Sequence, residues 1–572
     1  MNQYGKCGIN YFVPAKIIMK NNLMSKWLNL LLPLVMITLA SLSSPVAAAN
    51  DTFESAVAKL AQNNFKDKEQ TIDDLMVTSS LKSEVDDRVL AVFQTLLKGT
   101  LYFQKSDNQI VYVTKTDGEY SSVNVIGNDK KSKISKRDVK KITLNNKLRR
   151  KLRSYIAELS LLNKNPKIRI SAIQEMMGSI TLDTVAALQR RLINEKHKDV
   201  LAAFETLVAL VEVDADDKSI RLSALTKLGD SLEPKARNKI VGLLEKDDKG
   251  NYLETDKAFI NAALKAKQKI DERRSLYSFF EKIFFGLSLG SVLLLAAIGL
   301  AITFGVMGVI NMAHGELIMI GAYTTYVVQM LMPNHIEISL LVAVPAAFVV
   351  SGLFGIAIER GVIRFLYGRP LETLLATFGI SLILQQLVRS IFSPLNRSVE
   401  TPVWMSGALE FNPIFSITYN RLTIIFFSLF VFALLMLILK RTSLGLKVRA
   451  VSQNRPMARA MGIRSEWVDA LTFGLGSGIA GIAGVALSQL TNVGPNLGQS
   501  YIIDSFLVVV FGGVGNLWGT LVSAMSLGVF NKFLEPAVGS VLAKILILVF
   551  IILFIQKKPR GLFPQKGRAA EN

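Results

Sequence analysis

Three polar residues, Asn311, His314 and Glu316, lie close together inside an otherwise apolar, glycine-containing stretch at residues 305–323. Ionisable groups at membrane depth are costly, so they usually face the interior of a helix bundle or a solute path. Glycines at such a place permit close helix contact, or a break in the helix that exposes backbone groups to a ligand. Two interpretations of His314 stay open: a hydrogen bond between helices, or a contact along a solute path.

The rest of the sequence offers no pattern of residues that points to catalysis. The nearest match to a phosphate-binding Walker A loop, at residues 513–520, has the glycine spacing but no lysine. The segment 314–316 lacks the second histidine of a zinc protease, and 3 histidines with 1 cysteine leave no Cys/His zinc cluster. We therefore expect no catalytic residue, no metal and no cofactor on this chain, which should not be an enzyme.

The composition disfavours an entirely soluble protein. The 572 residues are 50% hydrophobic and 19% charged, with a formal net charge of +21. Charged residues are dense before Glu281 and sparse after it. Beyond that point the basic residues stand mainly beside long apolar runs, where they indicate membrane topology. We therefore expect no nucleic-acid partner.

The first residues have the three-part pattern of a secretory signal peptide. Lysines precede a short apolar run, and small residues follow it up to Ala49. We predict a signal peptide over residues 1–49, with an uncleaved anchor helix as the alternative. The basic region is long for a signal peptide, so Met19 or Met24 is a more usual start.

Residues 50–278 are predicted to form a mainly helical extracytoplasmic domain, because apolar residues recur at three- and four-residue spacing. The segments KIRISAI at 167–173 and SIRLSAL at 219–225 repeat each other. This pattern is similar to HEAT-type helical repeats, with a generic helical bundle as the alternative.

A β-hairpin and a basic segment interrupt this helical pattern. Strand-like residues on both sides of Asp117 and Gly118 predict the small hairpin insert. The segment at residues 130–153 is strongly basic. It is either a solvated, charge-rich face or a contact for an anionic partner such as membrane lipid headgroups.

Residues 279–565 are predicted to be a helical membrane domain with eight or nine spans, so the fold class is all-α. A run as short as 502–511 cannot span unless its helix is broken or re-entrant. The apolar runs are residues 279–304, 317–331, 339–358, 373–391, 422–439, 468–490, 502–511, 518–533 and 541–555.

Basic residues predict the orientation. The loop at 440–464 and the tail from 557 are rich in lysine and arginine, so both should be cytoplasmic, including residues 566–572. Arg360, Arg364 and Arg369 mark a third cytoplasmic loop. Counting the spans backward from these loops places the start of the first span outside the cytoplasm, which agrees with the predicted signal peptide. The loop at 440–464 itself is either a surface helix on anionic lipid or a docking helix for another protein.

Three segments resemble the permease subunits of the branched-chain amino acid ABC importer family: NMAHGE at 311–316, RAVSQNRPMARAMGI at 449–463 and FLVVVFGGVGNLWGTLVSA at 506–524. The resemblance covers nearly all of the membrane domain. It implies a bacterial inner-membrane permease that works with two ATPase subunits, a second homologous permease and an extracytoplasmic solute-binding protein.

The resemblance also implies roles for individual residues. The ATPase-coupling residues would be Arg449, Ala450, Asn454, Ala458, Met461, Gly462 and Ile463. We place Asn311, His314, Glu316 and Thr377 along the substrate path. Gly512, Gly513 and Gly515 would shape a tight connection between helices.

The added N-terminal domain separates this chain from ordinary amino acid permeases of the family. Together with a signal peptide it resembles the B-type permease subunit of urea ABC importers. Urea or a short amide is therefore the expected solute, with branched-chain amino acids as the alternative. A membrane sensor would need a cytoplasmic output domain, for which the short tail leaves no room.

Overall fold

A computed structural model describes residue 53, residues 55–61, 64–80, 87–105, 109–116, 119–124, 132–135 and 137–178, residue 185 and residues 195–564. The predicted signal peptide, the turn at Asp117 and Gly118 and the tail at 566–572 lie outside these residues. The chain divides into two compact units, Met1–Leu228 and Gly229–Asn572. The expected boundary after residue 278 instead falls inside one continuous helix, Lys257–Met307.

The first unit is mainly helical. Two asparagines define where helices begin: Asn145 Oδ1 accepts a hydrogen bond from Leu148 N at 2.8 Å, and Asn165 Oδ1 accepts one from Lys167 N at 3.0 Å. Phe93 and Leu152 lie in its buried core. The helices are α1 (Phe65–Ser80), α2 (Asp87–Lys98), α3 (Asn146–Ser160), α4 (Pro166–Met176), α5 (Lys198–Glu212) and α6 (Lys218–Asp230), whose end reaches the division.

The β insert is larger than the predicted hairpin. The hairpin itself is present as an antiparallel pair, with Val111 opposite Asn124. It belongs to an antiparallel five-stranded sheet in the order β4-β3-β2-β1-β5. The added strands have three or four residues, too few to show the alternation that identifies a strand. The strands are β1 (Leu101–Gln104), β2 (Ile110–Thr116), β3 (Glu119–Asn124), β4 (Ser132–Ile134) and β5 (Val139–Lys141).

The two similar sequence segments lie on α4 and α6 and share one local contact. Arg169 Nη1 donates to Asn163 O at 2.7 Å, and Arg221 Nε donates to Val213 O at 3.2 Å. In each case the arginine holds the turn that precedes its own helix. The two segments are therefore alike in structure as well as in sequence, while their assignment to HEAT-type repeats stays a prediction.

The second unit is a helical bundle, and each predicted apolar run lies on one of its helices. A two-stranded ribbon of β6 (Ala408–Glu410) and β7 (Ser416–Thr418) joins α11 to α12. The helices are α7 (Pro234–Leu243), α8 (Lys257–Met307), α9 (His314–Leu331), α10 (Ile336–Gly361), α11 (Pro370–Phe392), α12 (Tyr419–Arg441), α13 (Ser443–Gln453), α14 (Arg455–Ala460), α15 (Ser465–Ser488), α16 (Leu497–Gly512), α17 (Leu517–Val538) and α18 (Ser540–Lys557).

Within the described residues, 6 helices are long and apolar enough to cross a membrane: α8, α10, α11, α12, α15 and α18. The prediction of eight or nine spans is not confirmed by this measure. The difference comes from α9, α16 and α17. Polar residues lower the mean hydropathy of α9 and α17. Helix α16 is too short to cross a membrane, because it has only 16 residues.

The three basic segments predicted to be cytoplasmic lie at one end of this unit. Arg364 Nη2 is 3.5 Å from Glu466 Oε2, at the start of α15. Val306, at the end of α8, packs against the apolar residues of α13 and α14. Leu562 N, in the basic tail, donates to Phe511 O at 2.9 Å. Segments on the same side of a membrane must lie at one end of the bundle, so this arrangement agrees with the predicted cytoplasmic side for all three.

The second half of α8 is the centre of the bundle, and it packs against α15 and α17. At Gly299 its backbone touches the backbone of Gly476 on α15. A Cβ atom at Gly476 would lie 2.7 Å from Gly299 O, and one at Gly299 would lie against Gly476 O and 2.8 Å from His314 Cε1. Small residues allow such backbone contact between membrane helices.

We predict that Gly299→Ala destabilises the protein by about 1–3 kcal/mol, because the added methyl group meets backbone that cannot move aside. Gly379→Ala is the matched control, since a Cβ atom there meets nothing within 4 Å. Alanine at this position should leave stability unchanged or raise it by up to about 1 kcal/mol. Thermal melting of the purified protein in detergent measures both. Equal melting temperatures for the two variants would contradict the packing argument.

Candidate functional site

The break between α8 and α9 carries the first part of the predicted path. Asn311 is 1% exposed, and its Oδ1 accepts a hydrogen bond from Ala313 N at 3.0 Å. Met312 N donates to Thr377 Oγ1 on α11 at 3.2 Å. Asn311 and Thr377 therefore lie at the same junction, where the backbone leaves its helix and α11 supplies a partner. The Nδ2 atom of Asn311 is buried and has no protein partner.

Glu316 joins α9 to α11 one turn further along. Its Oε1 accepts hydrogen bonds from Ser381 Oγ at 3.0 Å and from Gln385 Nε2 at 2.8 Å. Its Oε2 is buried without a protein partner. The α9–α11 contact is thus a polar seam, which we define as Asn311, Glu316, Thr377, Ser381 and Gln385. Within it, the donor Asn311 Nδ2 and the acceptor Glu316 Oε2 have no protein partner.

The structure does not bring His314 into this polar seam. Residues two apart on a helix point about 200° from each other, so His314 and Glu316 lie on opposite faces of α9. His314 Nε2 is 2.9 Å from Ala296 O on α8 and donates to it, because a carbonyl oxygen only accepts. This is the interhelical hydrogen bond that was one of its two interpretations. Its Nδ1 is buried without a protein partner.

Ser381 and Gln385 are functional candidates that the sequence analysis did not select. They continue a spacing of four residues along α11 that begins at Thr373 and Thr377, and all four side chains are buried. Residues spaced by four lie along one helix face. A polar stripe at this spacing in an otherwise apolar helix is the signal that identifies them.

The predicted coupling residues lie on α13 and α14 and the turn that follows. We call residues 443–464 the docking segment. Ala450, Ala458 and Ile463 pack inward against a small apolar cluster, so they support the segment. Asn454 Oδ1 accepts from Met457 N at 3.0 Å and caps α14.

The outward face of the docking segment is formed by exposed residues, which include Arg449, Met461 and Gly462 of the predicted coupling set. Met457 and Met461 are 60% and 78% exposed. Arg449 is exposed and donates to Leu439 O. Gly462 has φ +83°, a left-handed conformation that ends α14 and favours glycine. Exposed methionine side chains are flexible and polarisable, and proteins use such side chains on surfaces that bind partners.

A largely buried ion pair attaches the docking segment to the bundle, and no motif in the sequence indicates it. Arg455 Nη1 lies 2.6 Å from Asp469 Oδ2, and Nη2 lies 2.9 Å from Oδ1. Burial disfavours the charged guanidinium, but the hydrogen bonds to Asp469 outweigh it and raise the pKa of Arg455. Arg455 lies on α14 and Asp469 lies on α15, so the periodicity of a single helix does not relate them.

The predicted glycine connection lies between α16 and α17. A Cβ atom at Gly512 would lie 2.5 Å from Gly519 O, so the two helices meet backbone to backbone. Gly513 and Gly515 have φ +103° and +77°. Both values lie in the region that glycine adopts without strain. Together these contacts form a tight turn at the basic end of the bundle.

Comparisons with known proteins agree with these features. The family model described as the permease component of branched-chain amino acid transport systems matches residues 282–555. The high-affinity branched-chain amino acid transport system permease protein BraD of Pseudomonas aeruginosa is 29% identical over 296 residues, which is 50% of this chain and 96% of BraD. The proteins named LivH of Salmonella typhimurium and of Escherichia coli K12 are each 30% identical over 295 residues, 50% of this chain and 95% of the relative.

No solved structure matches the chain. The relatives are transport permeases, which agrees with a transporter component that is not an enzyme. None of the names that they carry mentions urea, so the comparisons favour the branched-chain alternative over the expected urea subtype. With the family model, the relatives and the apolar helices together, the chain belongs to the permease component family of branched-chain amino acid ABC importers and is a multi-pass inner-membrane protein.

Proposed function

We propose that this chain carries branched-chain amino acids across the inner membrane. The observation that carries the proposal is the likeness to relatives named for that transport, along almost their whole length. The polar seam supplies groups that can form hydrogen bonds with a solute, because Asn311 Nδ2 and Glu316 Oε2 are buried and have no protein partner. A buried polar group without a partner is costly, so a solute that satisfies it is favoured.

Urea or a short amide is the second candidate solute. The observation in its favour is the first unit, since the family match begins only at residue 282 and leaves that unit unexplained. A small neutral solute needs hydrogen-bonding groups and no fixed counter-charge. The amide side chains of Asn311 and Gln385 in the polar seam are groups of this kind.

The partners follow from the proposed transport. Two ATPase subunits would bind the cytoplasmic side of a permease pair, one of them at the docking segment of this chain, and drive the cycle. A second homologous permease would complete the path. A solute-binding protein would deliver the solute from the outside, where we place the first unit. The exposed methionines of the docking segment support this role, whereas a lipid contact would be supported by a continuous apolar stripe flanked by basic residues.

Uptake of labelled solute tests the assignment. Cells that express the whole transporter should take up labelled leucine, and deletion of this subunit should abolish that uptake. Excess unlabelled urea should not compete. Uptake of labelled urea that depends on this subunit and resists competition by leucine would replace the first candidate by the second.

We predict that Asn311→Leu lowers the initial rate of uptake by up to about tenfold, because one hydrogen bond along the path is lost. The permease should still assemble in the membrane, which immunodetection after membrane isolation measures. Asn334→Leu, an exposed position between α9 and α10, is the control and should leave uptake unchanged. Normal uptake by Asn311→Leu would remove this residue from the path.

We predict that Met461→Glu weakens ATPase binding by at least about thirtyfold, equivalent to about 2 kcal/mol, because it places a charge in an apolar contact. Co-purification of the ATPase with the tagged permease measures this. Met330→Glu is the matched control, since Met330 is 62% exposed but lies near the other end of the bundle, at the end of α9. Equal ATPase recovery with both variants would contradict the assignment of the docking segment.

A further inference from the structure

Arg455 of the docking segment makes contacts on two sides. Its guanidinium forms the paired hydrogen bonds with Asp469 described above, and the Asp469 side chain is only 7% exposed. A bidentate arginine–carboxylate pair fixes the orientation of the guanidinium as well as its position. The plane of Arg455 therefore has a defined direction relative to α15.

The other contact of Arg455 is with an aromatic ring. Arg455 Cζ lies 4.1 Å from the centre of the Tyr367 ring, within the range of a cation–π interaction. Tyr367 stands between a short 3₁₀ helix, Ile363–Leu366, and the first residue of α11, Pro370. Proline restricts the backbone at the start of α11. Tyr367 is thus separated from the first residue of α11 by only Gly368 and Arg369.

The attachment of α11 to the rest of the bundle is unusually polar. Its main helix contact is with α9, through the polar seam and a small apolar cluster around Val388. Its apolar side chains are largely exposed, as at Leu371, Leu375 and Ile383. A tightly packed apolar contact resists sliding, because interiors pack at crystal-like density. Of the six buried residues of α11, four are polar and two, Leu384 and Val388, are apolar. A small movement of α11 would therefore exchange hydrogen bonds and repack few apolar side chains.

We propose that the contact between Tyr367 and Arg455 transmits movement of the docking segment to α11, and that this movement rearranges the polar seam. The inference rests on the proposed function, in which an ATPase binds the docking segment. Tyr367 touches neither solute nor nucleotide in this scheme. It is a positioning residue, and its effect should appear in the coupling of ATP hydrolysis to transport.

The test uses the complete transporter, with this chain at full length, reconstituted in lipid vesicles. Uptake of labelled leucine and of labelled urea is measured together with ATP hydrolysis. Tyr367→Leu removes the ring, while Tyr367→Phe keeps its face. Phe365→Leu is the matched control: Phe365 is an exposed aromatic residue two positions away whose ring faces Arg364.

In Tyr367→Leu, solute carried per ATP hydrolysed should fall at least about tenfold while the ATPase still co-purifies. Tyr367→Phe and Phe365→Leu should keep the wild-type ratio. An unchanged ratio in Tyr367→Leu would overturn the inference. So would an equal loss in Tyr367→Phe or in Phe365→Leu, because the effect would then not depend on the ring that faces Arg455.

A second variant covers the case in which Tyr367→Leu does not assemble. Arg455→Lys keeps a positive charge near Asp469 but lacks the planar group that lies on the ring. It should also lower the ratio of solute to ATP, and an unchanged ratio would overturn the inference. A wild-type transporter without a co-purifying ATPase, or without ATP-driven uptake, would instead refute the proposed function.

Discussion

The membrane half depends on how closely α8 can approach its neighbours. Gly299 and Gly476 let the backbones of α8 and α15 touch. The absence of a Cβ atom at Gly299 also leaves room for the His314 ring, which bonds to the Ala296 carbonyl. A polar side chain inside an apolar bundle needs such a partner, since none is available from lipid. Close packing by glycine and the hydrogen bond of His314 therefore support each other, and they hold the start of α9 against α8.

The contact between α9 and α11 follows a different principle. Ser381 and Gln385 donate to one carboxylate oxygen of Glu316, and Thr377 accepts from the backbone at the break before α9. Hydrogen bonds of this kind specify an orientation, and they lie beside an apolar cluster in which Val388 of α11 packs with Met319 and Tyr323 of α9. The contact of α8 with α15 is thus made by close backbone packing, whereas the contact of α9 with α11 combines hydrogen bonds with a small apolar cluster.

Several features of the site could be predicted from the sequence. The apolar runs of the membrane half all lie on helices, and the docking segment is helical, as both interpretations of the 440–464 loop expect. Relatives confirm the family and favour branched-chain amino acids over urea. The stripe on α11 also has a sequence signal, its spacing of four. The three added strands of the first unit had no such signal, because three or four residues show no period.

The sequence by itself determined the membrane class, the family and the helical segments, because hydropathy and helical spacing depend on residues near one another in the chain. Only the tertiary structure decided which polar groups meet. His314 and Glu316 are neighbours in the sequence and lie on opposite faces of α9, whereas Glu316 and Gln385 are far apart and share a hydrogen bond. The pairing of Arg455 with Asp469 is likewise a result of helix packing, since Arg455 lies on α14 and Asp469 on α15.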